Sequence, residues 1–219
     1  MNCKGKLIII GGAVDKGSFT EKEFDKDVAK NINFFEKGIL MLGGSANLQH
    51  SGHYYFGDLS GINTSKIPLW FTPFFKPGDR ISRIRDWDQK IEEIALQAKN
   101  WDIWVVSGIP SWVQLLFERI IQHHGVRTIH DIWPNLQVFA YGGVAMDPYL
   151  PAFERICARP LSYIETYLAS EGFLAYDTRI APERKGMRLS LNNGIYYEFI
   201  PFSFPEISIE TRSQYSSFA

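Results

Sequence analysis

The chain has 219 residues, a net charge of −1 at neutral pH, and a hydrophobic fraction of 45%. This length suits one domain with a substantial core or a piece of a larger domain, and the composition excludes a disordered chain. The balanced charge gives no electrostatic footprint for nucleic acid or a membrane surface. Cys3 and Cys157 are too few for a disulfide framework, and they favour a reducing, cytoplasmic location. Neither a signal-peptide core nor a membrane-spanning run is expected.

Residues 1–40 predict one strand–loop–helix unit, the start of an α/β sheet. Leu7–Ile10 is an apolar run typical of a buried strand. Thr20–Glu23 fits a capping box at the start of a helix, which Gly38 is expected to close. The loop between strand and helix matches neither the Walker pattern nor the dinucleotide fingerprint, so a structural turn is favoured over a phosphate site.

Residues 41–100 predict glycine turns, an aromatic segment and a helix. Turns are expected at Gly43–Ser45 and Gly57–Gly61. The aromatic segment Pro68–Phe75 either fills the core or lines an apolar acid pocket. Asp86 precedes an expected helix with one apolar face. The residues of that face are Ile91, Ile94, Ala95 and Ala98.

Residues 101–160 predict two strands, each followed by a turn and a helix. Ile103–Val106 is a strong strand, and Ser107–Pro110 turns the chain. Ser111 is expected to cap a helix that Gly125 ends. The second strand covers residues 137–141, and a helix is expected from about Pro148 to Ala158.

Gly142-Gly143 follows the second of these strands. Glycines at this place let a flat ring or a phosphate approach the backbone. A glycine turn without a ligand is the alternative.

A strand-like run of aromatic and β-branched residues begins at Tyr163, and Gly172 breaks it. Ser170 and Glu171 are therefore expected at a strand's carboxyl end, where open α/β sheets bind ligands. A carboxylate there can hold Mg²⁺ against nucleotide phosphates; a solvated surface glutamate is the alternative. Further along, Asn193-Gly194 predicts a β-hairpin between two alternating runs, residues 187–191 and 195–199.

Tyr167-Leu168-Ala169-Ser170-Glu171 resembles the Tyr-x-x-Ser/Thr-Glu signature of acyl-adenylate-forming enzymes. Further stretches resemble one branch of them in the same order, the Gretchen Hagen three (auxin-responsive) acyl acid–amido synthetases. These stretches are Met41–Ser45, Gly57–Gly61, Ser107–Trp112, Ile132–Leu136, Tyr141–Val144 and Gly194–Phe202. The resemblance covers about residues 40–202.

This resemblance implies a ligase that uses ATP and Mg²⁺ to turn a carboxylic acid into an acyl-adenylate, then transfers the acyl group to an amine or amino acid. It places Glu171 on the metal as the catalytic residue and Ser170 on a phosphate. Nucleotide contacts are implied for Tyr167, Ala169, Gly142 and Gly143. Acid contacts are implied for Ser107, Ile109 and Trp112, although an ordinary strand-to-helix connection explains that turn equally.

The chain also departs from this family. The Ser/Thr/Gly-rich phosphate loop expected before Met41, the later ribose-binding aspartate and the mobile C-terminal domain are missing, which predicts a fragment that is inactive alone. Residues 1–40, on the stretch Gly5–Ser18, resemble the start of cyanophycinase, a serine peptidase. Because no G-x-S-x-G motif follows, peptidase activity is not expected.

Together these features predict an α/β fold with a partial, adenylate-forming-enzyme-like sheet, flanking helices and a C-terminal β-hairpin. The expected units are a cyanophycinase-like segment (1–40), a synthetase-like partial domain (41–202) and an unassigned tail (203–219). A non-catalytic fusion fragment that binds a nucleotide or a partner weakly is the alternative function.

Overall fold

The structure is a computed structural model, which describes residues 37–169, 172–177, 187–191 and 193–197. The strands are β1 (Gly38–Leu42), β2 (Gln49–Ser51), β3 (Tyr54–Phe56), β4 (Phe75–Lys76), β5 (Ile103–Gly108), β6 (Val138–Gly142), β7 (Ser162–Ala169), β8 (Gly172–Asp177) and β9 (Met187–Leu189). The α-helices are α1 (Leu59–Ser65), α2 (Asp79–Ser82), α3 (Trp87–Gln97), α4 (Pro110–His124) and α5 (Leu150–Ile156). Short 3₁₀ helices cover Leu69–Phe74, Ala98–Asn100 and Ile129–Asp131.

The main sheet has seven strands in the order β4-β1-β5-β6-β7-β8-β9, and β2 pairs with β3 in a separate antiparallel sheet. The first five strands of the main sheet are parallel, whereas β8 and β9 are antiparallel to their neighbours. The predicted α/β class is confirmed. Because parallel strands end at the same edge, the turns after β1, β5, β6 and β7 share one rim of the sheet.

Helices α2 to α5 cover one face of the sheet. On that face Leu40, Val106 and Phe139 pack in one core with Ile94 of α3 and Leu116 of α4, and all five side chains are fully buried. This packing confirms the apolar face expected for α3. It fixes α3 and α4 against the strands whose ends form the rim.

The opposite face of the sheet has a smaller core. Ile39, Val105 and Val138 pack there with Phe71 and Phe75 of the aromatic segment. Within the same segment, Leu69 is 91% exposed and Trp70 is 66% exposed. The aromatic segment therefore fills the core through part of its side chains only.

The start of α4 differs from the prediction. Its first residue is Pro110, Ile109 lies at the N-cap, and no side chain caps the helix, so the cap predicted at Ser111 is wrong. Proline is favoured at the first helical position because its φ is already helical and its missing N–H has no partner there. The predicted end is confirmed, since Gly125 has a left-handed φ of 63°.

Gly38 does not close a helix but begins β1, so that prediction is wrong. Its N–H donates to the Asp102 carbonyl at 2.6 Å, and an added Cβ would lie only 2.9 Å from Ile103 Cδ1. Residues 38–42 are apolar without alternation, as buried parallel strands are. The unit boundary predicted at residue 40 falls inside this strand, and the helix predicted before it lies outside the described residues.

The hairpin predicted across Asn193-Gly194 is not formed by the described residues. β9 pairs instead with β8, and residues 195–197 are irregular. Asn193 Nδ2 donates to the Phe173 carbonyl at 2.6 Å, so this amide ties the segment to β8. The antiparallel hairpins at this end of the sheet are β7–β8 and β8–β9.

Candidate functional site at the carboxyl rim of the sheet

The predicted acid-side turn follows β5. Ser107 is paired with Met41 of β1 on one side and Ala140 of β6 on the other, so it sits in the middle of the sheet near its rim. The Ile109 carbonyl accepts hydrogen bonds from the N–H groups of Trp112 and Val113, both at 3.0 Å. These bonds fix the turn and direct α4 away from the rim.

Trp112, in the first turn of α4, is half-buried and packs on Trp87 at the start of α3. Their ring centroids are 4.5 Å apart. The contact holds the two helix starts together beside the turn after β5. The structure thus places Ser107, Ile109 and Trp112 together at the turn after β5, and their predicted contacts with the acid stay predictions.

The two glycines after β6 have different surroundings. An added Cβ on Gly142 would lie 2.5 Å from the Thr166 carbonyl oxygen and 3.1 Å from Thr166 Oγ1. Thr166 is buried, and its hydroxyl donates to the Tyr141 carbonyl at 3.0 Å. Gly142 is therefore required by strand packing, without any ligand. Gly143 has a φ of 84°, is exposed, and faces open space where a Cβ would be.

The end of β7 projects past β6. The last pair between the two strands is Gly142–Thr166, and β7 continues for three residues to Ala169, roughly 10 Å at 3.3 Å per residue. Tyr167 on this extension is 54% exposed, and Ala169 pairs with Gly172 of β8. Tyr167 and Ala169 thus lie beside the diglycine turn at the rim. Ser170 and Glu171 lie outside the described residues, and their predicted roles stay predictions.

The turn after β1 contains a feature that the sequence interpretation missed. Lys90 of α3 is only 3% exposed, and its Nζ donates to the carbonyls of Gly43 at 3.3 Å and Gly44 at 3.2 Å. On the other side of the turn, the Gly44 N–H donates to Ser60 Oγ at 2.9 Å. A signal was present, since Lys90 lies three residues after Trp87 and four before Ile94, on the apolar face of α3.

Electrostatics at this turn follow from burial. Burial lowers the pKa of Lys90 below its ordinary value, and the charge of Asp58 acts in the opposite direction. Away from the rim, burial raises the pKa of Cys157 to about 11 and that of Tyr163 to about 12. Neither of these groups is ionised at neutral pH, so neither supplies a charge to the rim.

Within residues 37–169 and the three short ranges after them, no three His, Cys, Asp or Glu side chains are grouped so that they could hold a metal ion. In that part of the chain, every helix is too short or too polar to cross a bilayer.

Comparison with known families identifies the family of the chain. The sequence model of the GH3 family N-terminal domain matches residues 42–161, more than half of the 219 residues. The chain belongs to the GH3 family. The GH3 match contains Lys90, the turn after β5 and the diglycine turn, and it ends before β7. No curated protein matches the chain.

Among solved structures, the chain is similar to apo MatB from Rhodopseudomonas palustris. The two share 11% identity with a TM-score of 0.35 over 66% of this chain. The matched region spans only 24% of the MatB chain. A likeness this weak does not bear on the function of the GH3-family chain.

Proposed function

We propose that this GH3-family chain acts in the ATP-dependent activation of a carboxylic acid. A carboxylate oxygen of the acid bonds to the α-phosphorus of ATP while the bond to pyrophosphate breaks, which gives an acyl-adenylate. An amine, such as that of an amino acid, then takes the acyl group and AMP leaves. The observation that carries the proposal is that the turns after β1, β5 and β6 and the end of β7 share one rim in a member of the GH3 family.

The nucleotide is assigned to the turn after β6 and the end of β7. Gly143 fits this role, because its backbone is exposed with open space at the Cβ position. Gly142 supports this role less directly, since Thr166 occupies the space where a Cβ of Gly142 would lie. Tyr167 is exposed enough to pack on a base, and Ala169 and Ser170 complete the proposed nucleotide contacts.

Glu171 is assigned to Mg²⁺, with Ser170 on a phosphate. A bound Mg²⁺ would neutralise negative charge on the triphosphate as pyrophosphate leaves. The acid is assigned to Ser107, Ile109 and Trp112 on the other side of β6, where the half-buried indole of Trp112 offers an apolar surface. This division keeps the two substrates in neighbouring parts of one rim, as an in-line attack requires.

The test is ATP–pyrophosphate exchange by the full chain with a panel of aliphatic and aromatic carboxylic acids. Any exchange that depends on the acid and on Mg²⁺ should fall by at least about 10²-fold in Glu171→Ala, and exchange with no acid would support the inactivity predicted from the sequence. Glu154→Ala, which removes an exposed carboxylate on α5, is the matched control and should exchange like the wild type. Exchange that persists in Glu171→Ala would contradict the assigned role.

A non-catalytic role is the second candidate. The packing of Gly142 against Thr166 favours this role, because the packing accounts for one glycine of the diglycine turn without a ligand. Under this alternative the chain binds ATP weakly and exchanges with no acid. Calorimetric titration with ATP beside the exchange assay separates the two candidates.

The proposed cyanophycinase-like origin of residues 1–40 rests on its sequence resemblance, and residues 1–36 lie outside the described residues. Genomic DNA read across residue 40 tests it. A continuous synthetase frame upstream of this position would contradict a natural fusion.

A further inference from the structure

Lys90 is a buried charge with defined partners. The residue is 3% exposed, and its Nζ donates to two backbone carbonyls, those of Gly43 and Gly44. Burying an ammonium group costs free energy unless it is hydrogen-bonded, and a methionine of similar length would fill the same space on α3 without that cost. Packing of α3 therefore does not account for a lysine at position 90, whereas its hydrogen bonds to the turn after β1 do.

The turn after β1 is fixed from its other side by α1. The Gly44 N–H donates to Ser60 Oγ, and a Cβ on Gly43 would lie 2.8 Å from that oxygen. A Cβ on Gly44 would collide with the Asp58 carboxylate. The backbone thus has no room to move toward α1, and Lys90 prevents it from moving toward the sheet's helical face.

The first turn of α3 links two turns of the rim. Trp87 and Lys90 are three residues apart and lie on the same side of the helix. Trp87 packs on Trp112 beside the turn after β5, whereas Lys90 holds the turn after β1. A displacement of this helix end would therefore move both turns.

The cavity next to the ammonium group is too small for a substrate. It has a volume of about 10 Å³ and is lined by Met41, Leu42, Gly43, Gly44, Thr64, Pro77, Ser82 and Lys90. A volume of that order holds one water molecule. Lys90 therefore acts on a ligand through the backbone of the turn and does not touch it.

We propose that Lys90 is a positioning residue for the acid. It fixes the turn Gly43–Ser45, which forms the far wall of the acid pocket. This inference rests on the proposed function. The near wall is the turn from Ser107 to Trp112. In the sheet order, β5 separates β1 from β6, so the turn after β1 is roughly 10 Å from the diglycine turn at about 4.8 Å per strand. This separation places Lys90 on the acid side of the rim, away from the turn assigned to the nucleotide.

The kinetic test compares Lys90→Met with Lys99→Met, the same change at an exposed lysine near the end of α3. Circular dichroism tests whether both variants fold. In ATP–pyrophosphate exchange, Lys90→Met should raise the KM for the acid by roughly 10-fold to 100-fold, since a displacement of about 1 Å in a positioning element costs up to about 10²-fold. The KM for ATP should stay within about twofold, and Lys99→Met should match the wild type. Equal changes in both KM values, or no change in either, would overturn the proposal.

A second measurement needs neither the variant nor turnover. Acetate, benzoate and octanoate are titrated into the isotope-labelled wild type, and ATP is titrated separately. The backbone amide signals of Gly43, Gly44 and Ser45 should shift with at least one acid and stay in place with ATP. This readout also decides the question if Lys90→Met does not fold.

The two measurements separate this inference from the proposed function. Acid-dependent shifts in a chain that exchanges with no acid would contradict the proposed activity and support the acid pocket. Exchange with an acid that leaves these three amides unmoved would overturn the pocket wall and support the activity. A chain that shows neither exchange nor shifts overturns both.

Discussion

Asparagine placed at each glycine of the turn after β6 should lower stability at position 142 and leave it almost unchanged at position 143. Asn at position 142 must accommodate a Cβ that would lie 2.5 Å from the Thr166 carbonyl oxygen. Because that oxygen belongs to the neighbouring strand, β6 and β7 have to separate, and overpacking of this kind costs about 1–3 kcal/mol. Asn at position 143 meets open space, and asparagine tolerates the φ of 84° there better than most residues do.

The assay is urea unfolding of Gly142→Asn, Gly143→Asn and the wild type. We expect a lower midpoint with an unchanged m-value for Gly142→Asn, and a melting temperature lower by roughly 2–12 °C for a chain of this size. Gly143→Asn should stay within about 0.5 kcal/mol of the wild type. Equal midpoints for the two variants, or a wild-type midpoint for Gly142→Asn, would refute the packing explanation of Gly142.

Three further predictions concern the elements that hold the rim. Burial lowers the pKa of His130, which accepts the Ala158 N–H at Nδ1 and contacts the Leu136 carbonyl through Nε2. The unfolded chain therefore takes up a proton near pH 6.5 that the folded chain excludes, so the free energy of unfolding should fall as the pH drops below about 6.5. Urea midpoints measured at several pH values should fall less in His130→Gln than in the wild type. An equal fall in both proteins would contradict this role of His130. Asp86→Ala removes the hydrogen bond from the Gln89 N–H to Asp86 Oδ1 at 2.7 Å and should lower the free energy of unfolding in urea by about 1 kcal/mol. Ser111→Ala should lower it by less than about 0.5 kcal/mol. A larger loss in Ser111→Ala would show that Ser111 caps the helix. A double-mutant cycle on Trp87 and Trp112 should give a coupling energy of about 0.5–1.5 kcal/mol from the contact of their tilted rings, and additive losses would show that the two helix starts are not coupled.

The sequence predicts those elements whose local signals agree with their packing. Ile103–Val106 is apolar and rich in β-branched residues, and it forms most of β5, the middle one of the five parallel strands. The apolar face of α3 and the left-handed Gly125 at the end of α4 were predicted for the same reason, since periodicity and a glycine stop act within one element.

The sequence does not predict features that depend on partners distant along the chain. Gly38 has the local character of a helix stop, but pairing with β4 and β5 makes it the start of a buried strand. The runs on either side of Asn193-Gly194 alternate well, yet β9 pairs with β8. Lys90 is missed because its partners lie 46 and 47 residues away, and only its place on the apolar face of α3 indicates a buried role.

Under the proposed function, the turn after β6 and the end of β7 form one nucleotide-binding rim. The most direct measurement is a titration of the isotope-labelled chain with ATP and Mg²⁺, read at single backbone amides. We expect the signals of Gly143, Ala169 and Gly172 to shift together with one affinity, while Gly125 at the far end of α4 stays unchanged. Shifts that leave Gly143 and Ala169 in place would contradict the account.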